Sequence, residues 1–567
     1  MKDLIHLLTQ KQKRQLFYLS ILLIVGMGLE VFGLSALIPV LSSLLDPNFI
    51  ETIPFLNTHF SHLSNQEILM AGLLFITIVY FFKSAYLLFL FYRQNKFIYT
   101  STSNLANRLF YNYVGQNFIF HLNKNKADIT KNVQVEIENF RIYMMALITF
   151  VVESFLALSI LATLIYVEPQ GATIIGLFFA LLGGLYFQFS KKKVKSWGIL
   201  REEKDKHLSK TIIETIEGIK IVKLMEIEDF FVKRFFKLNN KKANILTGYT
   251  TVSEASRYLL EVIAVVGLIL YVLFLLHIGR DTTVILSRLG LFVAATFRLI
   301  PSVNRILSSI QKIKYFTSTL KVLKIEFDQF IPLVTDQTSN STVVFKEKID
   351  FKNLSFWYGN NSTKILDAVN FTIKKGQYIG LIGPSGSGKS TLINILIGLI
   401  FPKSGSIEID GEKLDHFNSF NWHSLIGYVP QETFIIDDSI EKNIALGVEA
   451  HDVDKKRLFN VIQQAQLSDY VADLPNGIDT VLGDSGSKLS GGQKQRIGIA
   501  RALYTSSEII CFDEATSALD EATEKEFLEF INSIRKEKTI ITVSHKKKTL
   551  EHCDIIYKIS NKKIKKV

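Results

Sequence analysis

Cysteine is almost absent from this sequence, which has only Cys511 and Cys553 among its 567 residues. Two thiols give no disulfide framework and no cluster of metal-binding cysteines. Cys511 lies in an apolar run that is typical of a buried strand, so we expect an inert core thiol there. The scarcity of cysteine therefore excludes disulfide-stapled folds and cysteine-based metal sites.

Basic residues are scarce in alternate segments between long apolar runs. A run needs about 20 residues to cross ~30 Å of hydrocarbon, and six runs qualify. They are 16–42, 67–92, 142–167, 171–190, 258–278 and 284–307. Neither Lys nor Arg occurs in 43–66 or in the "EPQG" turn (168–171), whereas 93–141 and 191–257 are rich in both. Because cytoplasmic loops carry the excess of basic residues, both termini and the two basic segments are predicted to be cytoplasmic.

The chain is basic overall, with a net charge of +12, and 48% of its residues are hydrophobic. The block "KKKVK" (191–195) alone would fit nucleic-acid binding, but beside six apolar runs a cytoplasmic loop is the simpler interpretation. We therefore predict a lipid bilayer as a partner and no nucleic acid. The first run starts too early and is too long for a cleaved signal peptide, and we expect no domain before it.

The two basic segments are long and are predicted to extend the flanking spans as helices. Each contains a short apolar patch, "QNFIFHL" (116–122) and "IVKLMEIEDFF" (221–231), that is expected to face a soluble domain. The helical pattern ends in a polar stretch, "TDQTSNST" (335–342), and strand-like runs then alternate with helical ones, which indicates an α/β domain. The predicted boundaries are a transmembrane domain at 1–325, a linker at 326–344 and the α/β domain at 345–567.

A glycine-rich loop, "GPSGSGKST", lies between a strand-like run and a helical run. Such loops let successive backbone N–H groups close around phosphate oxygens. Lys389 would then reach the β- and γ-phosphates, and the Ser390 hydroxyl is placed to bind Mg²⁺. Alone, this motif also fits a kinase or a GTPase. The predicted nucleotide-binding residues are Gly383, Pro384, Ser385, Gly386, Ser387, Gly388, Lys389, Ser390 and Thr391.

An apolar strand-like run, "IICFDE" (509–514), ends in two carboxylates. At the end of a strand, Asp513 can hold Mg²⁺ through water, and Glu514 is the natural general base for an attacking water. An acidic pair after a strand can instead cap a helix, but a phosphate-binding loop in the same domain favours the catalytic role. The predicted fold is thus an α-helical six-span transmembrane domain followed by an α/β P-loop nucleotide-binding domain.

The stretch "LSGGQKQR" (489–496) resembles the signature motif of ATP-binding-cassette (ABC) proteins. "YVPQE", "SALD", "TVSH" and "SFWYG" resemble other motifs of this family, in the family's order. The resemblance implies that Gln431 takes part in catalysis and binds Mg²⁺, that His545 senses the γ-phosphate and that Tyr358 stacks on adenine. "KKK" after His545 departs from the family pattern and leaves the details of that loop open. The implied signature residues are Leu489, Ser490, Gly491, Gly492 and Gln493, and the implied D-loop is Ser517, Ala518, Leu519 and Asp520.

A helix that starts after "LSGG" points its N-terminal N–H groups outward and cannot reach the nucleotide of its own P-loop. The family resemblance implies that it closes on the nucleotide of a second copy. We therefore expect a head-to-tail homodimer with two ATP sites, unless a separate partner half exists. ATP and Mg²⁺ are the implied cofactors. Since no site residue is degenerate, ATP hydrolysis is expected to be intact.

Six spans before the cassette, with long cytoplasmic helices, resemble half-transporters of the exporter type (type IV fold). We expect no cysteine-peptidase domain before the first span, and therefore no bacteriocin exporter that trims its cargo. The passages 30–44 and 297–310, and the external segment 49–63, resemble bacterial lipid-linked oligosaccharide flippases. This resemblance implies transport of a polyprenyl-pyrophosphate-linked oligosaccharide from the cytoplasmic to the outer leaflet of a bacterial inner membrane.

A charge within an apolar span costs about 2.5–3.5 kcal/mol and usually faces a cavity or another charge. Four basic residues of the spans and their ends are considered as such charges. At a rise of about 1.5 Å per residue, all four fall in the inner half of the bilayer. They are Lys83, Arg257, Arg298 and Arg305. In the last span, Arg298, Ser302, Arg305 and Ser309 form one polar stripe at helical spacing. We predict that these cations line a pathway for an anionic head group. Snorkelling, or pairing with Glu30, Glu254 or Glu261, is the alternative.

Two other functions remain open. The chain could export another amphiphile, such as a lipid A precursor, a drug or a peptide. It could also be an ATP-gated channel or a regulatory sensor, although an intact Glu514 disfavours a site that does not hydrolyse ATP.

Overall fold

The computed structural model describes residues 2–45, 65–167, 169–278, 282–330, 343–359, 363–415, 418–515, 521–535, 537–544 and 546–567. The chain divides into two compact units. The first contains Met1–Gln116 and Asn123–Pro332, and the second contains Asn117–Leu122 and Leu333–Val567. The helix that precedes the predicted linker runs on to Gln329, beyond the predicted boundary at 325. Its extension has a physical cause: Glu326 is buried and bonds to Tyr113 and Lys124.

The first unit is entirely helical in its described part. Its helices are α1 (Lys2–Leu7), α2 (Gln10–Leu45), α3 (Asn65–Val114), α5 (Lys126–Lys131), α6 (Ile137–Val167), α7 (Pro169–Glu217), α8 (Ile219–Leu224), α9 (Glu228–His277), α10 (Thr282–Tyr315) and α11 (Thr317–Gln329), while α4 (Phe118–Asn123) starts in the second unit. A π-helical turn, Asn132–Glu136, joins α5 to α6.

Each of the six predicted spans falls in one long helix, namely α2, α3, α6, α7, α9 or α10, except that the span 258–278 passes the end of α9 by one residue. Among the described residues, four helical segments are long and apolar enough to cross a membrane. They are Gln10–Gly33, Met70–Val114, Lys126–Tyr166 and Glu228–His277. The spans predicted at 171–190 and 284–307 include side chains outside the described set. So does the external segment 49–63, of which nothing is described.

Three helices are far longer than a bilayer is thick. α3 and α9 have 50 residues each and α7 has 49. At about 1.5 Å per residue such a helix measures ~75 Å, whereas the hydrocarbon is ~30 Å thick. These helices therefore continue well beyond their apolar spans, which confirms the predicted helical extensions.

α9 shows why these helices pack side by side. Its buried residues recur mostly every three or four positions, so they lie along one face of the helix. They are Tyr249, Ser253, Ser256, Leu260, Ile263, Ala264, Gly267, Tyr271 and Leu275. This face packs against α7 and α10. The opposite face carries exposed apolar residues such as Val262 and Leu273, as expected of a surface that faces lipid.

The second unit contains two β-sheets. Its strands are β1 (Lys348–Phe356), β2 (Leu366–Lys374), β3 (Tyr378–Ile382), β4 (Ser404–Ile409), β5 (Glu412–Lys413), β6 (Ile426–Val429), β7 (Ile509–Asp513), β8 (Thr539–Val543), β9 (Ile555–Ser560) and β10 (Lys563–Lys566). The antiparallel sheet has the order β2-β1-β4-β5, and the larger sheet has the order β10-β9-β3-β8-β7-β6. In the larger sheet β9, β3, β8, β7 and β6 are parallel, and only β10 is antiparallel to its neighbour.

Eight further α-helices of the second unit lie in its described part. They are α12 (Lys389–Leu396), α13 (Ser419–His423), α14 (Ile440–Ile444), α15 (Lys455–Gln464), α16 (Ser468–Ala472), α17 (Gly491–Tyr504), α18 (Glu521–Ile534) and α19 (Lys547–Leu550). Successive residues of β7 point to opposite faces, so that Ile509 and Cys511 join one core cluster and Ile510 and Phe512 the other. A parallel strand that is buried on both faces therefore has an unbroken run of apolar residues in the sequence. Burial also raises the pKa of the Cys511 thiol, which confirms it as an inert core residue.

The two apolar patches of the basic segments differ in their surroundings. In the first, Phe118 and Ile119 pack against a core cluster of the second unit, to which Asn117–Leu122 belongs. The prediction for this patch is therefore confirmed. In the second, Leu224, Met225 and Phe230 are exposed, so its contact with a soluble domain stays a prediction.

Candidate functional site

Four neighbouring parallel strands of the larger sheet bring the predicted site residues to one edge. In spatial order, β3 is followed by the glycine-rich loop, β8 by Ser544, β7 ends at Asp513, and β6 is followed two residues later by Gln431. Because the carboxyl ends of parallel strands meet at the same edge, residues that are distant in sequence converge there. This edge of the sheet is the candidate functional site.

The glycine-rich loop has the backbone that phosphate binding needs. Gly388 caps α12 in the left-handed conformation, with φ at 103°. A Cβ there would lie 2.9 Å from Ile365 Cγ2, so that conformation and packing both require glycine. The loop thus delivers the first N–H groups of α12 to its concave side, where a helix N-terminus favours an anion.

Lys389 and Ser387 fit a bound phosphate chain. The buried Lys389 ammonium donates to the carbonyl oxygens of Gly383 at 2.7 Å and Pro384 at 3.2 Å, which holds it against the loop. Among the described residues, the Ser387 hydroxyl oxygen is buried without a hydrogen-bond partner. A buried polar atom without a partner is costly, and a phosphate oxygen would supply one.

The two carboxylates have distinct surroundings. Burial, together with the charge of Glu514, raises the pKa of Asp513, although the Tyr428 hydroxyl donates to its Oδ2 at 3.4 Å. Glu514 follows in the left-handed conformation, with φ at 52°, a strained state that is found at functional sites. Gln431 Nε2 donates to Glu514 Oε2 at 2.9 Å. The structure therefore brings together the proposed base, Glu514, and Gln431.

Mg²⁺ fits this edge as a partner of nucleotide phosphates. The described residues contain no group of three or more His, Cys, Asp or Glu side chains that could hold a metal. Mg²⁺ commonly binds one or two protein oxygens and completes its shell with phosphates and water. Ser390, Asp513 and the amide oxygen of Gln431 are suitable ligands, and the raised pKa of Asp513 indicates a carboxylate that a cation would stabilise.

Tyr358 lies just beyond the end of β1, on the other sheet. Its ring meets that of Phe356 edge-on, with centroids 4.9 Å apart. The Phe356 carbonyl accepts from the Ile365 N–H at 2.8 Å, and Ile365 is the residue that touches the Gly388 position. This end of β1 is thereby held near the glycine-rich loop, as a role in base stacking requires.

The signature motif forms the capped start of α17. The Ser490 hydroxyl accepts from Gln493 N at 3.2 Å, and Gln493 Oε1 accepts from Ser490 N at 2.8 Å, which makes a capping box. Ser490 and Gly491 are exposed. The motif therefore presents a preformed helix N-terminus to the solvent.

Two predicted motifs lie outside the described residues: the D-loop (Ser517, Ala518, Leu519 and Asp520) and His545. Their roles stay predictions. Beside His545, the first lysine of "KKK" has a structural role, because Lys546 Nζ lies 3.0 Å from Glu524 Oε2.

Sequence reasoning missed Tyr428, the residue that donates to Asp513. The signal was a hydroxyl-bearing side chain in an otherwise apolar strand. Tyr428 pairs in register with Cys511 on the neighbouring strand, two residues before Asp513.

The basic residues of the spans are paired with carboxylates wherever their side chains are described. Lys83 Nζ lies 2.6 Å from Glu30 Oε2, and the two side chains are only 8% and 13% exposed. This contact joins α2 to α3. It is one of the pairings that the sequence left open.

Arg305 and Arg257 are paired as well. Arg305 Nε lies 2.6 Å from Glu153 Oε1, a residue of α6 that sequence reasoning did not consider. Arg257 pairs with Glu261 one turn along α9, at 3.2 Å, with both side chains about half exposed. The side chain of Arg298 is not among those described. The pathway role of all four cations therefore stays a prediction.

Part of the polar stripe on α10 is buried between packed helices. Ser302 and Ser309 are 0% and 4% exposed, because small hydroxyl residues allow neighbouring helices to approach closely. Between them, Asn304 Oδ1 accepts from the Ser256 hydroxyl of α9 at 2.9 Å. Only Arg305 of the described stripe is substantially exposed.

The sequence matches two family profiles, the ABC transporter transmembrane region over residues 16–292 and the ABC transporter profile over residues 366–517. It is 32% identical over 388 residues to an ATP-dependent lipid A-core flippase of Saccharophagus degradans, covering 68% of this chain and 64% of the relative, which is under two thirds of that protein. A flippase of the same description from Ralstonia nicotianae is 26% identical over 456 residues, covering 80% of this chain and 76% of the relative.

The fold also matches that of a solved transporter. A bacterial Atm1-family ABC exporter with ATP bound aligns with a TM-score of 0.77 and 20% identity, over 97% of this chain and 94% of that one. At an identity of 20% the match is evidence of the fold alone. It confirms a helical transmembrane domain followed by a nucleotide-binding domain. From these matches and from the site at the sheet edge, the chain belongs to the ABC transporter family and carries that family's transmembrane region and ATPase domain.

Proposed function

We propose that this protein is an ATP-driven flippase that moves an anionic lipid-linked saccharide from the cytoplasmic to the outer leaflet of a bacterial inner membrane. Both termini and the nucleotide-binding domain lie in the cytoplasm. The proposal has three parts, namely ATP hydrolysis, dimerisation and substrate class.

The contact between Gln431 and Glu514 carries the first part. A glutamine side chain donates at 2.9 Å to the carboxylate that follows a buried strand, at the edge where the phosphate-binding loop and Asp513 also meet. This arrangement suits a carboxylate that takes a proton from the attacking water and a glutamine that orients the same water. A channel or sensor that only binds ATP would not need the base.

The exposed signature motif supports the second part. The capped N-terminus of α17 faces solvent, where it favours an anion supplied from elsewhere. The exposed patch at Leu224, Met225 and Phe230 likewise offers an apolar surface to a soluble domain. A head-to-tail homodimer supplies both, since each signature motif would then close on the nucleotide of the other copy.

Complementation between two inactive variants tests the dimer. Lys389→Ala removes the P-loop ammonium, and Ser490→Arg blocks the signature motif. In a head-to-tail dimer, a mixed pair retains one intact ATP site, so co-expressed variants should hydrolyse ATP although each alone does not. Absence of activity in purified mixed dimers would contradict the shared site.

The surroundings of Arg305 support the third part. An apolar cavity of about 350 Å³ lies among α6, α7 and α10, with Leu299, Val303 and Ile306 among its lining residues. It includes Ser154, next to Glu153, so it adjoins the Arg305–Glu153 pair. A hydrocarbon chain suits such a cavity, and the half-exposed guanidinium keeps donors for a phosphate beside its carboxylate partner.

The relatives named as lipid A-core flippases favour a second candidate, a lipid A-type glycolipid. A polyprenyl-pyrophosphate-linked oligosaccharide shares its phosphate, saccharide and hydrocarbon parts. Stimulation of ATPase activity in nanodiscs separates the two. The proposal expects stimulation by the polyprenyl substrate. Arg305→Gln should weaken this stimulation, whereas Lys192→Gln, an exposed lysine outside the predicted pathway, should not. Stimulation by lipid A alone would select the second candidate, and stimulation by neither would overturn the glycolipid class.

A further inference from the structure

A second cavity, which has a polar lining, lies between the start of α2 and the middle of α3. It has a volume of about 380 Å³. Cations and apolar side chains share its lining: Lys11, Arg93 and Lys96 with Tyr18, Leu19 and Leu22. The predicted spans begin at 16 and end at 92, so this groove straddles the inner boundary of the membrane.

The charge of the groove is unbalanced. No carboxylate lines it, and none of the ion pairs in the described part of the chain involves Lys11, Arg93 or Lys96. The deeper cations Lys83 and Arg305 have carboxylate partners. Exposed cations at the inner boundary attract acidic lipids, and each contributes about fivefold to binding. The groove therefore has an excess of positive charge where anionic head groups are concentrated.

The groove is also built rigidly. The buried side chain of Gln12 accepts from Thr9 N at 2.8 Å and reaches the Ser101 carbonyl of α3 at 3.5 Å. About two turns further along α3, Arg108 Nη1 donates to the Leu7 carbonyl at 2.8 Å. These contacts hold the start of the chain against α3, so the walls of the groove are formed before any ligand binds.

The two ends of the groove suit the two halves of a lipid. Arg93 and Lys96 lie over the rings of Phe89 and Tyr92, each at 5.9 Å, which keeps both cations at the edge of the apolar span. Leu19 and Leu22 line the part that lies deeper along α2. A soluble anion would use only the polar end.

We propose that this groove binds the phosphate-bearing head group of an acidic lipid of the cytoplasmic leaflet. The inference rests on the proposed membrane orientation but not on the transported substrate. Occupancy joins α2 to α3 through the lipid, so a bound acidic lipid stabilises the membrane domain.

Lipid titration of three proteins tests the site. They are the wild type, Arg93→Gln/Lys96→Gln and a control, Lys192→Gln/Lys195→Gln. The control removes the same charge from exposed positions that follow the predicted span 171–190. Each protein in uncharged detergent is titrated with short-chain phosphatidylglycerol, with phosphatidylcholine and with inorganic phosphate. Bound lipid is counted by native mass spectrometry, and the melting temperature is recorded with and without lipid.

We expect phosphatidylglycerol to raise the melting temperature of the wild type and the control. Its affinity for Arg93→Gln/Lys96→Gln should fall about twenty-five-fold, from two cations at about fivefold each. Equal affinity for both double variants would overturn the site. A shift of the same size with inorganic phosphate alone would overturn the lipid as its ligand. The melting temperature without lipid shows that the variant is folded, and loss of the site would leave the proposed flippase activity untouched.

Discussion

The ion pair between Lys83 and Glu30 allows a direct choice between a structural and a pathway role for a cation in the membrane domain. Both side chains are almost fully buried, at 8% and 13% exposure, with 2.6 Å between Nζ and Oε2. Removing one partner of a buried pair leaves the other charge uncompensated and costs about 3–5 kcal/mol. Lys83→Met keeps the length of the side chain but removes the ammonium group from the buried Glu30 carboxylate between α2 and α3. We therefore expect a clear loss of thermal stability.

A second substitution, at Glu30, completes a double-mutant cycle for this ion pair. Replacing a buried pair by apolar residues of similar size is often neutral, so Lys83→Met/Glu30→Leu should recover most of the lost stability. Arg257→Met is the matched control, because its pair with Glu261 is about half exposed and such pairs contribute little.

The assay is the midpoint of heat-induced unfolding in nanodiscs, recorded together with ATPase activity in the presence of substrate. If the pair is structural, the unfolding midpoint should fall strongly in Lys83→Met and recover in the double variant. It should not change measurably in Arg257→Met. If Lys83→Met keeps its midpoint but loses stimulation by substrate, and Glu30→Leu restores nothing, the structural interpretation is refuted and Lys83 belongs to the pathway.

Three further outcomes follow from the nucleotide site. Gly388→Ala should weaken ATP binding at least tenfold in equilibrium titrations, because it sets a Cβ 2.9 Å from Ile365 at a φ of 103°. Ser490→Ala removes a helix cap and should lower the free energy of unfolding by about 1 kcal/mol. Ser490→Asp keeps the cap and should therefore retain the melting temperature. It should nevertheless lose ATPase activity, because the added charge would repel the phosphates bound by the partner copy. The pKa of Asp513 is raised in the folded protein above the ordinary value of 3.8. Without metal, the stability that the protonated Asp513 side chain contributes is therefore lost as pH rises from 3.8 through the raised pKa. The melting-temperature gain from adding Mg²⁺ to the ATP-loaded protein should then grow with pH over that range, and Asp513→Asn should abolish this dependence.

The nucleotide site was predictable because its chemistry is local. Each functional residue follows a short apolar strand, and parallel strands carry their carboxyl ends to one edge. The local sequence thus predicted roles for Lys389, Asp513 and Glu514 without knowledge of strand order, and the family resemblance added Gln431. The spans were predictable for a similar reason, since the solvent they face sets their length and composition.

Long-range polar contacts were not predictable. Glu153 and Arg305 are 152 residues apart, and their pairing depends on how α6 and α10 are rotated about their axes. Glu153 sits in an apolar run and gave no local signal of a partner. Ser302 and Ser309 match a pathway stripe by spacing, yet spacing cannot tell a helix face that lines a cavity from one that packs on a neighbour. The end of α11 at Gln329 was missed because Glu326 is buried by Tyr113 and Lys124, both distant in sequence.

Transbilayer movement of a lipid-linked saccharide in sealed vesicles tests the central claim most directly. The protein is reconstituted with a fluorescent polyprenyl-pyrophosphate-linked saccharide, and a membrane-impermeant quencher reports which leaflet holds the label. General-base catalysis contributes about 10²–10⁴-fold, so Glu514→Gln should lose nearly all ATP hydrolysis while still binding ATP. We predict ATP-dependent movement with the wild type and none with Glu514→Gln. Equal movement by the two proteins, or ATP hydrolysis retained by Glu514→Gln, would contradict the proposal.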